Sequence, residues 1–240
     1  MNEVKLLLFD LDDTLLHMDD YWGKSMYEAF ASFPLTKDIG MERLFPVFMK
    51  YDQELHELWM DGTINGKEFR LMRFVKTLGE FGLSVGAEES DAFEQWFRTV
   101  RAAYIPHDPH LVERLQQWSK QWSLAILTNG TFRDQHDKLY RMGLGTLFTE
   151  DNVFTSEEMG LAKPAREAYL HAAASMACEP DQVLFVGDSW QNDVAGPIAA
   201  GMRAIWFNRG GKELPPAEVT PEAVIRGLDE LESYMKERWR

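Results

Sequence analysis

The chain is short of positive charge, nearly free of cysteine and without a long apolar run. Lys and Arg number 25 against 39 Asp and Glu, a formal net charge of -14. A surface so acidic repels phosphate backbones, which argues against a nucleic acid polymer as partner. It leaves room for a small anion, because the local charge of a site can oppose the global one. The single cysteine, Cys178, can form no internal disulfide, as suits a reducing compartment. No stretch reaches the roughly 20 apolar residues that span a bilayer. The run Val4 to Phe9 is too short for the core of a signal peptide, and aspartates follow it at once. A cytoplasmic protein without a membrane partner is expected. The six histidines show no metal-ligand spacing, and neither an internal repeat nor a low-complexity tract is present.

Of the 240 residues, 45% are apolar, enough for a substantial core. Val4 to Phe9, interrupted only by Lys5, reads as a strand buried on both faces, the kind found inside a parallel sheet. From about Met18 to Tyr104 the apolar and aromatic residues recur at helical spacing, with breaks at Phe33-Pro34, at Asp61 through Gly66 and at Gly79 through Gly86. That pattern predicts a bundle of about four amphipathic helices. From Pro106 onward strands and helices alternate. Strands are predicted at Ser123–Thr128, near Val153-Phe154, at Val183–Val186 and at Arg203–Phe207, and a closing helix over Glu222–Arg238. The fold class is therefore α/β, a Rossmann-like doubly wound parallel sheet interrupted after its first strand by a helical insertion. The expected division is a core of residues 1–16 and 105–240 and a cap of residues 17–104. Ligands of such sheets bind beyond the carboxyl ends of the strands, and an insertion leaving from that end is placed to act as a lid. Tyr21 and Trp22 open it and are its first candidates for substrate contact.

The polar residues that follow the apolar strands form a coherent chemical set. The first strand runs into Asp10-Leu11-Asp12-Asp13-Thr14. The second ends in Thr128-Asn129-Gly130, Lys163-Pro164 precedes a helix, and the fourth ends in Gly187-Asp188-Ser189 with Asn192-Asp193 beyond. Crowded aspartates repel one another unless a cation sits among them. Phosphoryl transfer would use all of these groups. A carboxylate can attack phosphorus and form an aspartyl-phosphate. A divalent ion held by Asp10 and Asp188, with Mg²⁺ suited to oxygen ligands, and the ammonium of Lys163 would neutralise the approach of anion to anion. Thr128 and the backbone N–H groups after it can bind phosphate oxygens. Asp12, two residues beyond Asp10, is suited to protonate the leaving oxygen and then to activate water. Thr14 is expected to bond the turn backbone through its hydroxyl, and Asp13 to be a turn residue.

These segments resemble, in order, the four motifs of the haloacid dehalogenase (HAD)-like hydrolase superfamily, and the insertion after the first motif resembles its C1-type cap. Thr128-Asn129-Gly130, Gln135 and Arg141-Met142-Gly143-Leu144 are similar to the branch of pyrimidine nucleotidases and acylneuraminate phosphatases. The resemblance implies Asp10 as nucleophile and Asp12 as acid and base. It implies Thr128 and Lys163 as catalytic, with Thr128, Asn129, Gly130 and Lys163 around the substrate phosphate. It also implies Mg²⁺ held by the Asp10 carboxylate, the Asp12 carbonyl and Asp188, with Asp193 in support directly or through water. Asp13 stands where many phosphatases of the superfamily carry glycine. The dehalogenases lack an acid at the position of Asp12, because a halide leaves without a proton, so Asp12 favours phosphate esters. The expected activity is a Mg²⁺-dependent phosphatase for a small phosphorylated metabolite, acting as monomer or homodimer. The alternatives are a phosphomutase, a dehalogenase, or a non-catalytic phosphometabolite-binding protein on the same scaffold.

Overall fold

The first strand, β1 (Leu6–Phe9), is fully buried and stands near the middle of a six-stranded sheet. The computed structural model describes residues 3–60, 63–216 and 219–238; Asp61 and Gly62 of the break expected there lie outside them. The remaining strands are β2 (Ser123–Thr128), β3 (Val153–Thr155), β4 (Val183–Gly187), β5 (Arg203–Phe207) and β6 (Ala223–Ile225). Their order is β3-β2-β1-β4-β5-β6, and every pair is parallel. Phe9 is in register with Ile126 on one side and Val186 on the other. The segments that follow β1, β2 and β4 therefore leave from one carboxyl edge, so residues far apart in sequence become neighbours.

The chain divides into two compact units, residues 1–18 with 106–240 and residues 19–105. In the first, the sheet is flanked by α5 (Pro109–Trp118), α6 (Phe132–Arg141), α8 (Arg166–Ser175) and α10 (Leu228–Arg238), with short helices α7 (Ser156–Met159) and α9 (Gly196–Ala199). Leu6 and Leu8 of β1 pack with Ala125, Leu127, Phe185, Tyr169 and Ala172. Phe9 stacks on Trp118, with ring centroids 6.3 Å apart. The uninterrupted apolar composition of β1 follows from burial on both faces.

The second unit holds α1 (Met18–Ser32), α2 (Met41–Met60), α3 (Gly66–Gly79) and α4 (Ala87–Arg101). Asn65 caps α3, its side chain accepting from the N–H groups of Lys67 and Glu68 while Glu68 reaches back to the Asn65 N–H. The core is aromatic: the Phe30 ring lies 4.3 Å from Phe93 and 4.8 Å from Phe48. Tyr21 is buried, and Trp22 packs beside Phe48 under the guanidinium of Arg73.

One boundary differs from expectation. The closing helix begins at Leu228, because Ala223–Ile225 instead extends the sheet beside β5. The segment after β4 is a π-helical turn, Trp190–Ala195, before α9. Pro197 falls at the second residue of α9, and the Asn192 carbonyl, one π-turn earlier, accepts from the Tyr169 hydroxyl at 2.6 Å instead of from a backbone N–H there.

Phe30→Ala removes a fully buried ring from the helical unit and should cost about 3–5 kcal/mol. A urea titration checks this as a lowered unfolding midpoint relative to wild type.

Candidate active site

The Lys163 ammonium is buried between two carboxylates. Its Nζ lies 2.7 Å from Asp10 Oδ1 and 2.6 Å from Asp193 Oδ1, and all three residues are buried. Each is placed by its own backbone device. Asp10 extends β1, its N–H donating to Val186 O at 3.0 Å. Lys163 is clamped by Asn129 at the end of β2: the Lys163 N–H donates to Asn129 Oδ1, and Asn129 Nδ2 donates to Lys163 O, both at 2.8 Å. Asp193 sits in the π-helical turn, and its Oδ2 accepts the Ser189 N–H at 2.9 Å. A Cβ on Gly187 would lie 2.4 Å from the Asp193 carboxyl carbon, so only glycine leaves room for that side chain against the end of β4.

Asp188 joins this group. One oxygen each from Asp10, Asp188 and Asp193 lies within 4.8 Å of the others. The Trp206 indole holds the Asp188 carbonyl with a 2.9 Å hydrogen bond from the next strand. The electrostatics follow from burial and from the excess of negative charge. Burial pushes the Asp10 carboxyl up to about 8 against the pull of Lys163, with Asp193 and Asp12 adding to the rise. Burial, Asp193 and Asp13 push Asp188 up to about 7. Burial alone would lower Lys163, but Asp10 and Asp193 outweigh it, so its ammonium is held charged. Three carboxylates around one ammonium leave a demand for positive charge, and an all-oxygen donor set fits a hard divalent cation. Asp10, Asp188 and Asp193 are the side chains that could hold it.

Around the loop after β1 the side chains divide by role. Asp13 adopts a left-handed conformation, φ +59°, which aspartate tolerates better than most residues. Its Oδ1 accepts the Met18 N–H at 2.8 Å, so it shapes the turn. Thr14 differs from expectation. Its hydroxyl is buried without a hydrogen-bond partner among the described residues. The backbone closes the turn instead, the N–H groups of Thr14, Leu15 and Leu16 all converging on Leu11 O. The Asp12 carboxylate turns to α6, where Lys138 Nζ meets its two oxygens at 2.9 and 2.8 Å. Thr128 closes β2, buried and in register with Thr155. The side chain of Asn129 is committed to Lys163.

The residues sequence reasoning did not single out are Lys138 and Trp206, along with the clamping role of Asn129. For Lys138 a signal existed. The segment Phe132–Arg141, FRDQHDKLYR, is too polar to bury an apolar face, yet Gln135, Lys138 and Leu139 are buried at helical spacing.

A family model for haloacid dehalogenase-like hydrolases matches residues 4–201, and the chain belongs to that family. It is 31% identical to phosphoserine phosphatase of Thermus thermophilus over 95% of this chain and 98% of that one. It is 28% identical to pyrimidine 5'-nucleotidase YjjG of Escherichia coli over 95% and 96%. The crystal structure of the HAD-hydrolase YfnB of Bacillus subtilis, bound to magnesium, superposes with a TM-score of 0.80 at 26% identity, covering 98% and 99% of the two chains. The chain is thus a phosphatase-type hydrolase of the family. No helix among the described residues is long and apolar enough to cross a membrane.

The raised carboxyls predict a specific pH dependence. Between about pH 4 and 7 the folded chain keeps a proton on Asp188 that the unfolded chain has released, so its contribution to stability falls as pH rises through that window. In chelator-treated protein the melting temperature should therefore fall less between pH 5 and 8 for Asp188→Asn than for wild type. Parallel thermal melts at the two pH values test this.

Proposed function

We propose that the chain is a magnesium-dependent phosphatase of small phosphomonoesters, working through an aspartyl-phosphate on Asp10. The observation that carries this reading is the buried Lys163 ammonium against Asp10, with Asp12 two residues on. A nucleophilic carboxylate meeting a phosphate dianion needs fixed positive charge beside it, and an ester oxygen leaving as alkoxide needs a proton.

In the first step an Asp10 carboxylate oxygen forms a bond to phosphorus and the ester P–O bond breaks. Asp12 gives its proton to the departing oxygen. In the second, Asp12 takes a proton from water, whose oxygen attacks phosphorus and releases inorganic phosphate and the Asp10 carboxylate. Lys163 stays charged throughout, and its Asn129 clamp keeps it against Asp10. Thr128 and the backbone N–H groups of Asn129 and Gly130 would receive phosphate oxygens at the carboxyl edge of β2. Magnesium held by Asp10, Asp188 and Asp193, with the Asp12 carbonyl, would add the positive charge that the three carboxylates lack. The presence of Asp12 favours ester hydrolysis over dehalogenation, although dehalogenases share the fold, one from Pseudomonas syringae superposing with a TM-score of 0.65. The substrates named for the relatives differ from one another, from phosphoserine to pyrimidine nucleotides to glyceraldehyde 3-phosphate, so the substrate is sought in a panel spanning these classes.

Phosphate release from that panel, with Mg²⁺ and with chelator, tests the proposal. Asp10→Asn should lower turnover by at least about a thousandfold with an unchanged circular dichroism spectrum; a folded variant with near-normal activity would sink it. Mg²⁺ should also raise the melting temperature more at pH 8 than at pH 5, because protons on Asp10 and Asp188 compete with the ion.

A further inference from the structure

Lys138 is as buried as Lys163, at 5% exposure, yet it faces a carboxylate whose side chain is 30% exposed. Its Nζ contacts both oxygens of Asp12, at 2.9 and 2.8 Å. Asp134 Oδ2, one turn earlier on α6, lies 3.5 Å from the same nitrogen. Gln135 Nε2 donates to Asp12 Oδ2 at 3.3 Å, and Gln135 is itself buried, with no hydrogen-bond partner for its Oε1 among the described residues. A Cβ on Gly130 would fall 2.2 Å from Gln135 Nε2, so the glycine after the second strand makes room for this amide.

Burying an ammonium is unfavourable unless it is well paired. Packing does not require one here, since the neighbouring Leu139 supplies the apolar contact of α6 to the core. What the pair does achieve is geometric. A carboxylate on a loop rotates about two torsions, and an ammonium spanning both oxygens with an amide on one of them fixes the plane of the group. Proton transfer needs the acid within about 2.6–3.2 Å of the departing oxygen, and small misplacements cost large factors in rate.

We propose that Lys138, backed by Gln135, is the positioning residue for Asp12, holding its carboxyl where the ester oxygen departs. The inference rests on the phosphatase reading, and the experiment separates the two. Benzyl phosphate leaves as an alkoxide that requires a proton, whereas p-nitrophenyl phosphate leaves as a stable phenolate that does not, and the two esters are similar in size. In Lys138→Met, kcat/KM for benzyl phosphate should fall about tenfold or more beyond the fall for p-nitrophenyl phosphate. Lys138→Arg, which keeps the charge and can span both oxygens, should restore most of that difference. Adding Lys138→Met to Asp12→Ala should leave the ratio between the two esters unchanged. Equal losses on both esters, or none, in a variant that melts like wild type would overturn the inference while leaving the phosphatase reading intact. A wild type that hydrolyses neither ester nor any member of the metabolite panel with Mg²⁺ would overturn both. Should Lys138→Met fail to fold, Lys138→Gln, which drops the charge and keeps a donor, carries the same comparison.

Discussion

The placement of one ammonium among three carboxylates governs the rest of this site. Lys163 cannot be buried alone, and Asp10 and Asp193 cannot both be buried and ionised without it. Each therefore requires the others, and each comes from a different segment. The sheet brings the segments together, the Asn129 clamp sets the height of the lysine, and the Gly187 opening lets Asp193 reach it. One positive charge does not balance the set, and burial first, with the neighbouring carboxylates adding to it, raises the carboxyls of Asp10 and Asp188. A set of carboxylates left short of positive charge by its own residues has the donor chemistry that fits a hard divalent cation.

Most of the architecture was legible in the sequence, because burial on both faces and helical spacing leave plain marks. β1 and β4 are nearly pure apolar runs, and the helical unit repeats its aromatics every three or four residues. β6 was not legible. Its three residues, Ala223, Val224 and Ile225, are too few to show a period, and only their pairing with β5 marks them as a strand. The same holds for the π-helical turn after β4, which follows from where Asp193 must point rather than from any local preference.

At the site, the residues that carry charge on the carboxyl edge were readable, because Asp10, Lys163, Asp188 and Asp193 each follow a strand or precede a helix in a recognisable pattern. Their supports were less so. The side chain of Asn129 fastens Lys163, a contact that leaves no local mark in the sequence. Thr14 reads as a turn-bonding hydroxyl, but three backbone N–H groups already occupy the carbonyl it would share that turn with. Lys138 was not singled out, because its contact with Asp12 comes from the tertiary placement of α6 against the first loop. Tertiary contacts thus override local expectation where polar groups are buried, while apolar patterning survives intact.

The central position of β1 also bears on how the chain is made. Its two sheet neighbours begin at Ser123 and Val183, so β1 waits for all of residues 10–122 before either flank is available. All of residues 19–105, a compact unit with its own aromatic core, emerges before β2 does. On the ribosome the helical unit can therefore consolidate while the aspartate-bearing loop is still unpaired. The loop that bears Asp10, Asp12 and Asp13 thus precedes in synthesis both strands that flank β1, and pairing over such sequence separations is intrinsically slow to form.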